Sequence, residues 1–319
     1  MSERFVLALA GGVGGGKFAR GLTAVLPPDE LAVVVNTADD FLHLGLHVCP
    51  DIDSVLYAIA DLNDTERGWG HAGETWNFMD TLRRLGAAHW FQLGDRDLAT
   101  HVLRTEALAA GQSLSEVTVM LAERMGIKHT VAPMTDHAVR SIVETDEGAL
   151  AFQDYFVRRQ CQPAFRGVAF QNIASATGSA ALGEALKTAT AILIAPSNPF
   201  VSIDPILSVP DVRDSIRRSH APVVAVSPIV GGAAIKGPLA KMMRELGLEP
   251  STLEVARHYG ALANGWIIDA SDRDSLPTLE AMGFRVLVTN TIMRNTEDKA
   301  RLAREALDFA LELPQQPLR

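Results

Sequence analysis

The chain of 319 residues is poor in four things, and each shortage excludes something. Aromatic residues make up only 6%, with four tryptophans, so a tryptophan inside a polar motif stands out. There are two cysteines, Cys49 and Cys161, far apart and in no metal-ligand spacing. That excludes a disulfide framework and reads as reduced thiols in a cytoplasmic protein. No apolar run approaches the roughly 20 residues of a membrane span. The apolar start at Phe5 to Ala10 runs straight into glycines without a cleavage-site pattern, so it reads as a strand and not a signal peptide. Basic residues are the minority, 29 Lys and Arg against 38 Asp and Glu, for a formal net charge of −9. Nucleic acid and anionic membrane therefore find no cationic face. An anionic small substrate needs a local positive site or a metal. The nine histidines are scattered; His43 and His47 stand four apart with no third ligand nearby, which argues against zinc.

The pattern that is present is that of an open α/β fold. Phe5 to Ala10 is a continuous apolar run, the mark of a strand buried on both faces. Glycines 11 to 16 follow, then a helical stretch from about Lys17 to Leu26, stopped by Pro27-Pro28, and a β-branched strand at Leu31 to Val35. Strand, glycine loop, helix and strand form a βαβ unit, hence a parallel sheet. Helical spacing recurs at Ser54 to Leu62, Thr75 to Leu85, Ala99 to Ala110 and Ser115 to Met125, with Ser113 and Ser115 as caps, while Trp90 to Leu93 reads as extended. A hairpin is expected from Ala138 to Glu144 and Ala149 to Tyr155 around Asp146-Glu147-Gly148. Buried-strand runs return at Ala191 to Ala195, Val223 to Val226, Trp266 to Ala270 and Arg285 to Thr289, separated by helical segments. The expectation is one Rossmann-like domain over 1–319: an open, mostly parallel sheet with a largely helical, hairpin-bearing insertion at about 54–165.

Gly11-Gly12-Val13-Gly14-Gly15-Gly16-Lys17 puts five glycines and a lysine at a strand-to-helix junction. Such a junction brings backbone N–H groups to an anion at the positive end of the helix dipole. It is not a P-loop, because Phe18 stands where the metal-binding Ser or Thr belongs. It is not a dinucleotide fingerprint either: Lys17 replaces the third glycine, and the second strand ends in Asn36 instead of an acid. Directly after that strand comes Asn36-Thr37-Ala38-Asp39-Asp40, and soon afterwards Asp51 and Asp53. Carboxylates outside the carboxyl ends of parallel strands suit a hard cation; helix capping by Asp51 or Asp53 is the plainer alternative. Trp69 and Trp76 lie in a glycine-rich loop and offer flat faces for a planar ring, although Trp76 reads equally as a core anchor. Arg96 offers a fork for carboxylate or phosphate, against an internal pair with Asp95 or Asp97. Ser197, Asn198 and Lys236 follow two later strands.

Taken in order, Ala10 to Lys17, Asn36 to Asp40, Gly45 to Asp53, Leu93 to His101, Pro133 to Asp136, Ala195 to Pro199 and the loop 227–238 resemble the 2-phospho-L-lactate transferases, the CofD/FbiA family of coenzyme F-420 biosynthesis. The resemblance implies a Mg²⁺-dependent phosphotransferase on a Rossmann-like core, usually a homodimer. A guanylated phospho-acid diphosphate would donate to the ribityl hydroxyl of the 5-deazaflavin Fo, with GMP leaving. Carried onto this chain, Asp40, Asp39 and Asp53 are the catalytic candidates. Asp40 and Asp53 lead as metal ligands, with Asp39 and Asp51 behind them. Gly12, Gly14, Gly15, Gly16, Lys17, Ser197, Asn198 and Lys236 would serve the nucleotide and its phosphates. Trp69, Trp76, Asp95 and Arg96 would serve Fo or the phospho-acid. The acid itself could be phospholactate, phosphoenolpyruvate or phosphoglycerate. A nucleotide-sugar-binding regulator on the same fold is the main rival; a dehydrogenase and a P-loop kinase are disfavoured by Asn36 and Phe18.

Overall fold

A computed structural model of the chain describes residues 4–235 and 237–315. Its strands are β1 (Val6–Ala10), β2 (Leu31–Val35), β3 (Phe41–His43), β4 (Leu46–Val48), β5 (Thr130–Pro133), β6 (Arg140–Thr145), β7 (Gly148–Ala151), β8 (Phe165–Gln171), β9 (Ala191–Ile194), β10 (Val223–Val226), β11 (Ile229–Val230), β12 (Ala233–Ala234), β13 (Gly265–Asp269) and β14 (Arg285–Thr289). Seven form one parallel sheet in the order β14-β13-β10-β9-β1-β2-β5. The fold is therefore the expected Rossmann-like α/β architecture.

Alternation along each strand divides the core between the two sheet faces. Leu7, Leu9, Val34, Ile192, Ile194 and Ile268 belong to one buried cluster, while Val6, Ala8, Val33, Val35, Leu193 and Ile267 belong to the other. Because both faces are covered, the strands read as unbroken apolar runs. The strand order reverses between β1 and β9: the chain leaves β1 toward β2 and β5, then returns to the other side of β1. Crevices outside strand carboxyl ends at such a reversal are the usual ligand position in open α/β sheets.

Helix α1 (Gly12–Val25) begins inside the glycine run, five residues before the expected start at Lys17. Local propensity disfavours this, but packing demands it. A Cβ on Gly16 would lie 2.7 Å from the Ser54 carbonyl, and one on Gly21 would collide with the Lys299 carbonyl. The glycines let α1 press against α2 (Pro50–Ile59) and the C-terminal helix Thr296–Glu312.

Between β2 and β5 the chain forms the β3–β4 hairpin, α2, α3 (Asn77–Arg84), α4 (Asp95–Ala109) and α5 (Leu114–Arg124). Ser113 caps α5 in a capping box with Glu116. The residues Trp90 to Leu93, expected to be extended, form a turn outside any strand. Between β5 and β9 lies a three-stranded sheet in the order β7-β6-β8. Its hairpin turns at the expected place, but β7 ends at Ala151, and a π-helical turn begins at Asp154. β5 and β8, and the short strands β3, β4, β11 and β12, have no counterpart among the expected strands. Helix α6 (Ala180–Thr188) then leads into β9.

Candidate functional site

Asn36 closes β2 and is fully buried. Its side chain does two jobs. Oδ1 accepts from the Ala38 amide at 2.9 Å, and Nδ2 donates to Asp51 Oδ2 at 2.9 Å and to the Val201 carbonyl at 3.2 Å. The first bond turns the chain after the strand. The second ties that turn to the first helical turn of α2. A ribose-binding acid is thus replaced by an amide that fixes the carboxylates.

Asp39, Asp40, Asp51 and Asp53 are all buried, at 4%, 2%, 7% and 5% exposure. Burial of Asp39, Asp40 and Asp51 opposes their ionisation. Burial, then the neighbouring Asp51 charge, pushes Asp39 well above the usual carboxylate range. Burial pushes Asp40 up to about 7 and Asp51 up to about 6. Thr37 Oγ1, Asp39 Oδ1, Asp40 Oδ1 and Ser141 Oγ have no hydrogen-bond partner among the described residues. Buried polar atoms are normally satisfied, so this concentration marks a place built for something else to enter.

Asp53 is held differently. Arg104, itself buried, pairs with both of its oxygens, Nη1 reaching Oδ2 at 3.1 Å and Nη2 reaching Oδ1. Arg104 Nη1 also reaches the His47 carbonyl at 3.3 Å. His101 Nδ1 stands 3.7 Å from Asp53, and His101 Nε2 stands 3.3 Å from Asp97. The Tyr57 hydroxyl donates to Asp97 at 2.7 Å. Asp97, Thr100, His101 and Arg104 lie on one buried face of α4, at helical spacing. That polar stripe was a readable signal for Arg104, which was not among the expected site residues. Within 4.8 Å of an Asp40 carboxylate oxygen, His47 and Cys49 contribute a ring nitrogen and a thiol 3.3 Å apart.

The remaining expected site residues divide between this crevice and structural duties. A Cβ on Gly11 would lie 2.5 Å from Asp51 Oδ2, and Gly12, at φ +60°, faces Asp51 as well. A Cβ on Gly14 would collide with the Pro196 carbonyl, and one on Gly15 would lie 2.8 Å from Ser197 Oγ. Gly14, Gly15 and Gly16 are therefore required for close packing, whatever else they do. Ser197 Oγ donates to the Gly11 carbonyl at 2.8 Å and accepts from the Gly11 amide at 3.2 Å, which closes the reversal point between β1 and β9. Asn198 caps the following turn through the Phe200 amide at 3.0 Å. Lys17 Nζ donates to the Met293 carbonyl at 3.1 Å. Lys236 lies outside the described residues.

Trp69, 42% exposed, and Trp76 share one cation. The Arg67 guanidinium sits 4.9 Å from both ring centres, and its Nη2 pairs with Asp64 at 2.9 Å. Asp95 and Arg96 form the first turn of α4 instead of a loop. The Asp95 carboxylate accepts from the Thr75 hydroxyl at 2.6 Å and from the Asn77 and Phe78 amides at 3.1 Å, which satisfies the start of α3. Glu74 returns the favour, accepting from the Arg96 and Asp97 amides at 2.7 and 2.8 Å. Arg96 Nη1 reaches the Ala72 carbonyl at 3.1 Å. These two helix starts are locked to each other.

The family described as 2-phospho-L-lactate transferase CofD matches residues 6–298. A phosphoenolpyruvate transferase of Kitasatospora aureofaciens is 41% identical over 314 residues, covering 96% of this chain and 97% of that protein. A 2-phospho-L-lactate transferase of Methanosarcina mazei is 38% identical over 298 residues, covering 93% of this chain and 98% of that protein. Among solved structures, a UPF0052-family protein of Bacillus halodurans superimposes with a TM-score of 0.62 at 15% identity, covering 96% of this chain and 99% of that one. At that identity the likeness concerns the fold alone.

Proposed function

Since the chain belongs to the 2-phospho-L-lactate transferase CofD family, we propose that it transfers a phospho-acid-bearing phosphoryl group from a guanylated diphosphate donor to the ribityl hydroxyl of the deazaflavin Fo. The hydroxyl oxygen attacks the phosphorus that carries the acid. The P–O bond to GMP breaks, GMP leaves with the bonding pair, and the hydroxyl proton passes to a carboxylate. The product is a phosphodiester of a coenzyme F-420 precursor.

The observation that carries this reading is the set of buried oxygens without partners at the end of β2: Thr37 Oγ1, Asp39 Oδ1 and Asp40 Oδ1. They are hard oxygen donors beside the strand-order reversal, and they fit Mg²⁺. Asp40 is the leading ligand. Asp53 is the second, because carboxylate oxygens have lone pairs to spare beyond those Arg104 takes. Asp39 and Asp51 stand behind them. When bound, the ion supplies charge neutralisation for the diphosphate and for the leaving GMP.

The chain's own residues do the positioning that phosphoryl transfer chiefly needs. Asn36 fixes Asp51, and Arg104 fixes Asp53. Asp39 or Asp53 is the carboxylate that accepts the proton from the attacking hydroxyl. The β1–α1 junction and the Ser197-Asn198 turn border the reversal crevice, where the nucleotide end of the donor belongs. The resemblance adds a cytoplasmic homodimer, which light scattering of the purified protein checks.

The test is reconstitution. The protein is mixed with Fo, Mg²⁺, GTP, the guanylyltransferase that builds the donor, and phosphoenolpyruvate, phospholactate or phosphoglycerate. Mass spectrometry identifies the phosphodiester and its acid. No product from any acid, together with tight binding of a UDP-sugar, would replace the transferase reading by that of a nucleotide-sugar-binding regulator.

A further inference from the structure

The β3–β4 hairpin pairs Phe41 with Val48, Leu42 with His47 and His43 with Leu46. Side chains alternate between the two faces of such a ribbon, so His43 and His47 belong to opposite faces. One step further along the register, Asp40 comes to lie across from Cys49, on the face that carries His47. The contacts agree. His47 Nδ1 and Cys49 Sγ are 3.3 Å apart, and one ligand atom from each of Asp40, His47 and Cys49 lies within 4.8 Å of the others. The partners that His47 lacks in the sequence are thus supplied by the hairpin.

This trio differs in kind from the carboxylates beside it. Mg²⁺ prefers oxygen ligands, whereas sulfur and imidazole nitrogen select borderline cations such as Zn²⁺. Tetrahedral zinc, with bonds of about 2.3 Å to sulfur and about 2.05 Å to nitrogen, sets those two atoms about 3.5 Å apart. The Nδ1–Sγ separation is close to that. Burial brings the His47 ring down to about 4, so it is neutral and can offer Nδ1. Asp40 Oδ1 is buried and has no hydrogen-bond partner. Cys49 is fully buried, but His47 is only half-buried, so the cluster is not sealed from solvent. Among the described residues the other thiol, Cys161, belongs to no such cluster.

We propose that Asp40, His47 and Cys49 form a three-ligand site for a borderline divalent cation of the Zn²⁺ class, which competes with Mg²⁺ for Asp40 and so inhibits the enzyme. The ion takes Cys49 as thiolate, and the thiol proton leaves to solvent. A fourth position stays open to water. Two dications on one carboxylate repel each other, so filling this site disfavours the oxygen-ligand site next to it. The binding site stands on the cluster alone; the inhibition rests on the proposed function.

The experiment titrates Co²⁺, a coloured stand-in for Zn²⁺, into the full chain, kept reduced with a phosphine and free of donor. Thiolate-to-cobalt charge transfer gives a near-ultraviolet band that oxygen ligands do not give. One equivalent develops the band, and Zn²⁺ removes it. Cys49→Ser abolishes it, and His47→Gln weakens binding by at least about tenfold, the least that loss of even an outer-shell partner costs. Cys161→Ser leaves it unchanged. Circular dichroism verifies that each variant is folded. Excess Mg²⁺ weakens Co²⁺ binding to native protein. No band in native protein overturns the site, as does a band that survives Cys49→Ser, one that is lost in Cys161→Ser, or equal affinity in His47→Gln. Co²⁺ affinity indifferent to Mg²⁺ overturns the sharing of Asp40. In the reconstituted transfer reaction one equivalent of Zn²⁺ stops turnover; full turnover with the site filled overturns the inhibition. A Cys49-dependent band in a protein that forms no product keeps the site and removes the transferase reading.

Discussion

Arg104 and Asp53, one on α4 and the other in the first turn of α2, form a buried pair in which both carboxylate oxygens meet the same guanidinium. A lone carboxylate at 5% exposure would be expensive, and the pair removes that expense only while both partners remain. Arg104→Met leaves Asp53 uncompensated and should lower unfolding free energy by about 3–5 kcal/mol. Urea denaturation of the purified protein measures it. The double variant Arg104→Met with Asp53→Leu should recover much of that loss. An Arg104→Met protein as stable as native would mean the pair carries no structural weight.

Asp40 ties stability to pH. Its folded value is about 7 against about 3.9 in the unfolded chain. The folded state therefore binds the extra proton between those values, so the native protein loses stability as pH rises from about 4 to about 7. Asp40→Asn has no such proton to lose. Without divalent cation, the variant should gain on native protein across that window by an amount on the order of a few kcal/mol, and the gain should be flat above it. Denaturation midpoints at several pH values decide this. A gap between the two proteins that does not change with pH would refute it. The same variant should have no measurable turnover while keeping its fold.

A divalent cation should act in the opposite sense. Asp40 at about 7 and Asp51 at about 6 must shed protons before they can serve a metal. Mg²⁺ should therefore raise the melting temperature more at pH 8 than at pH 5, and a chelator should abolish both the rise and the transfer activity. Scanning calorimetry with and without Mg²⁺ at the two pH values tests it. An equal rise at both would place the ion away from these carboxylates.

The glycine run makes a separate prediction. A methyl group on Gly16 would press on the Ser54 carbonyl of α2 at 2.7 Å. Gly16→Ala should cost about 1–3 kcal/mol, the usual range for forcing extra volume into a packed contact. Gly45→Ala is the informative contrast. At that hairpin turn a Cβ meets nothing within 4 Å, and only φ +77° opposes it. Thermal melts of the two variants compare overpacking with backbone strain. Unchanged stability in Gly16→Ala would show that α1 can move away from α2.

Much of this was legible in the amino-acid order, because the relevant physics is local. Buried parallel strands must be apolar on both faces, so β1, β2, β9, β10 and β13 announce themselves, while β14, expected to be buried, is an edge strand with no buried residue. The carboxylates after Asn36 sit where the end of a parallel strand puts them. The strands that sequence reading passes over are short or weakly patterned: β3, β4, β11 and β12 span only two or three residues each. β5 is four residues ending in a proline at the sheet's edge, and β8 carries an arginine and a glycine among its apolar residues.

What the sequence by itself determined is the parallel α/β sheet and the acidic turn at its carboxyl edge, both set by residues near one another in the chain. Only the tertiary structure decided which partner each polar group takes. It gave Asp53 to Arg104 across 51 positions, gave Asp95 and Glu74 to each other's helices, and filled the Trp69–Trp76 pair with Arg67. It also turned the glycine run from a loop into the first turn of α1, because close helix packing outweighs glycine's own reluctance to be helical. Pairing and packing depend on which segments meet, and no local pattern encodes that.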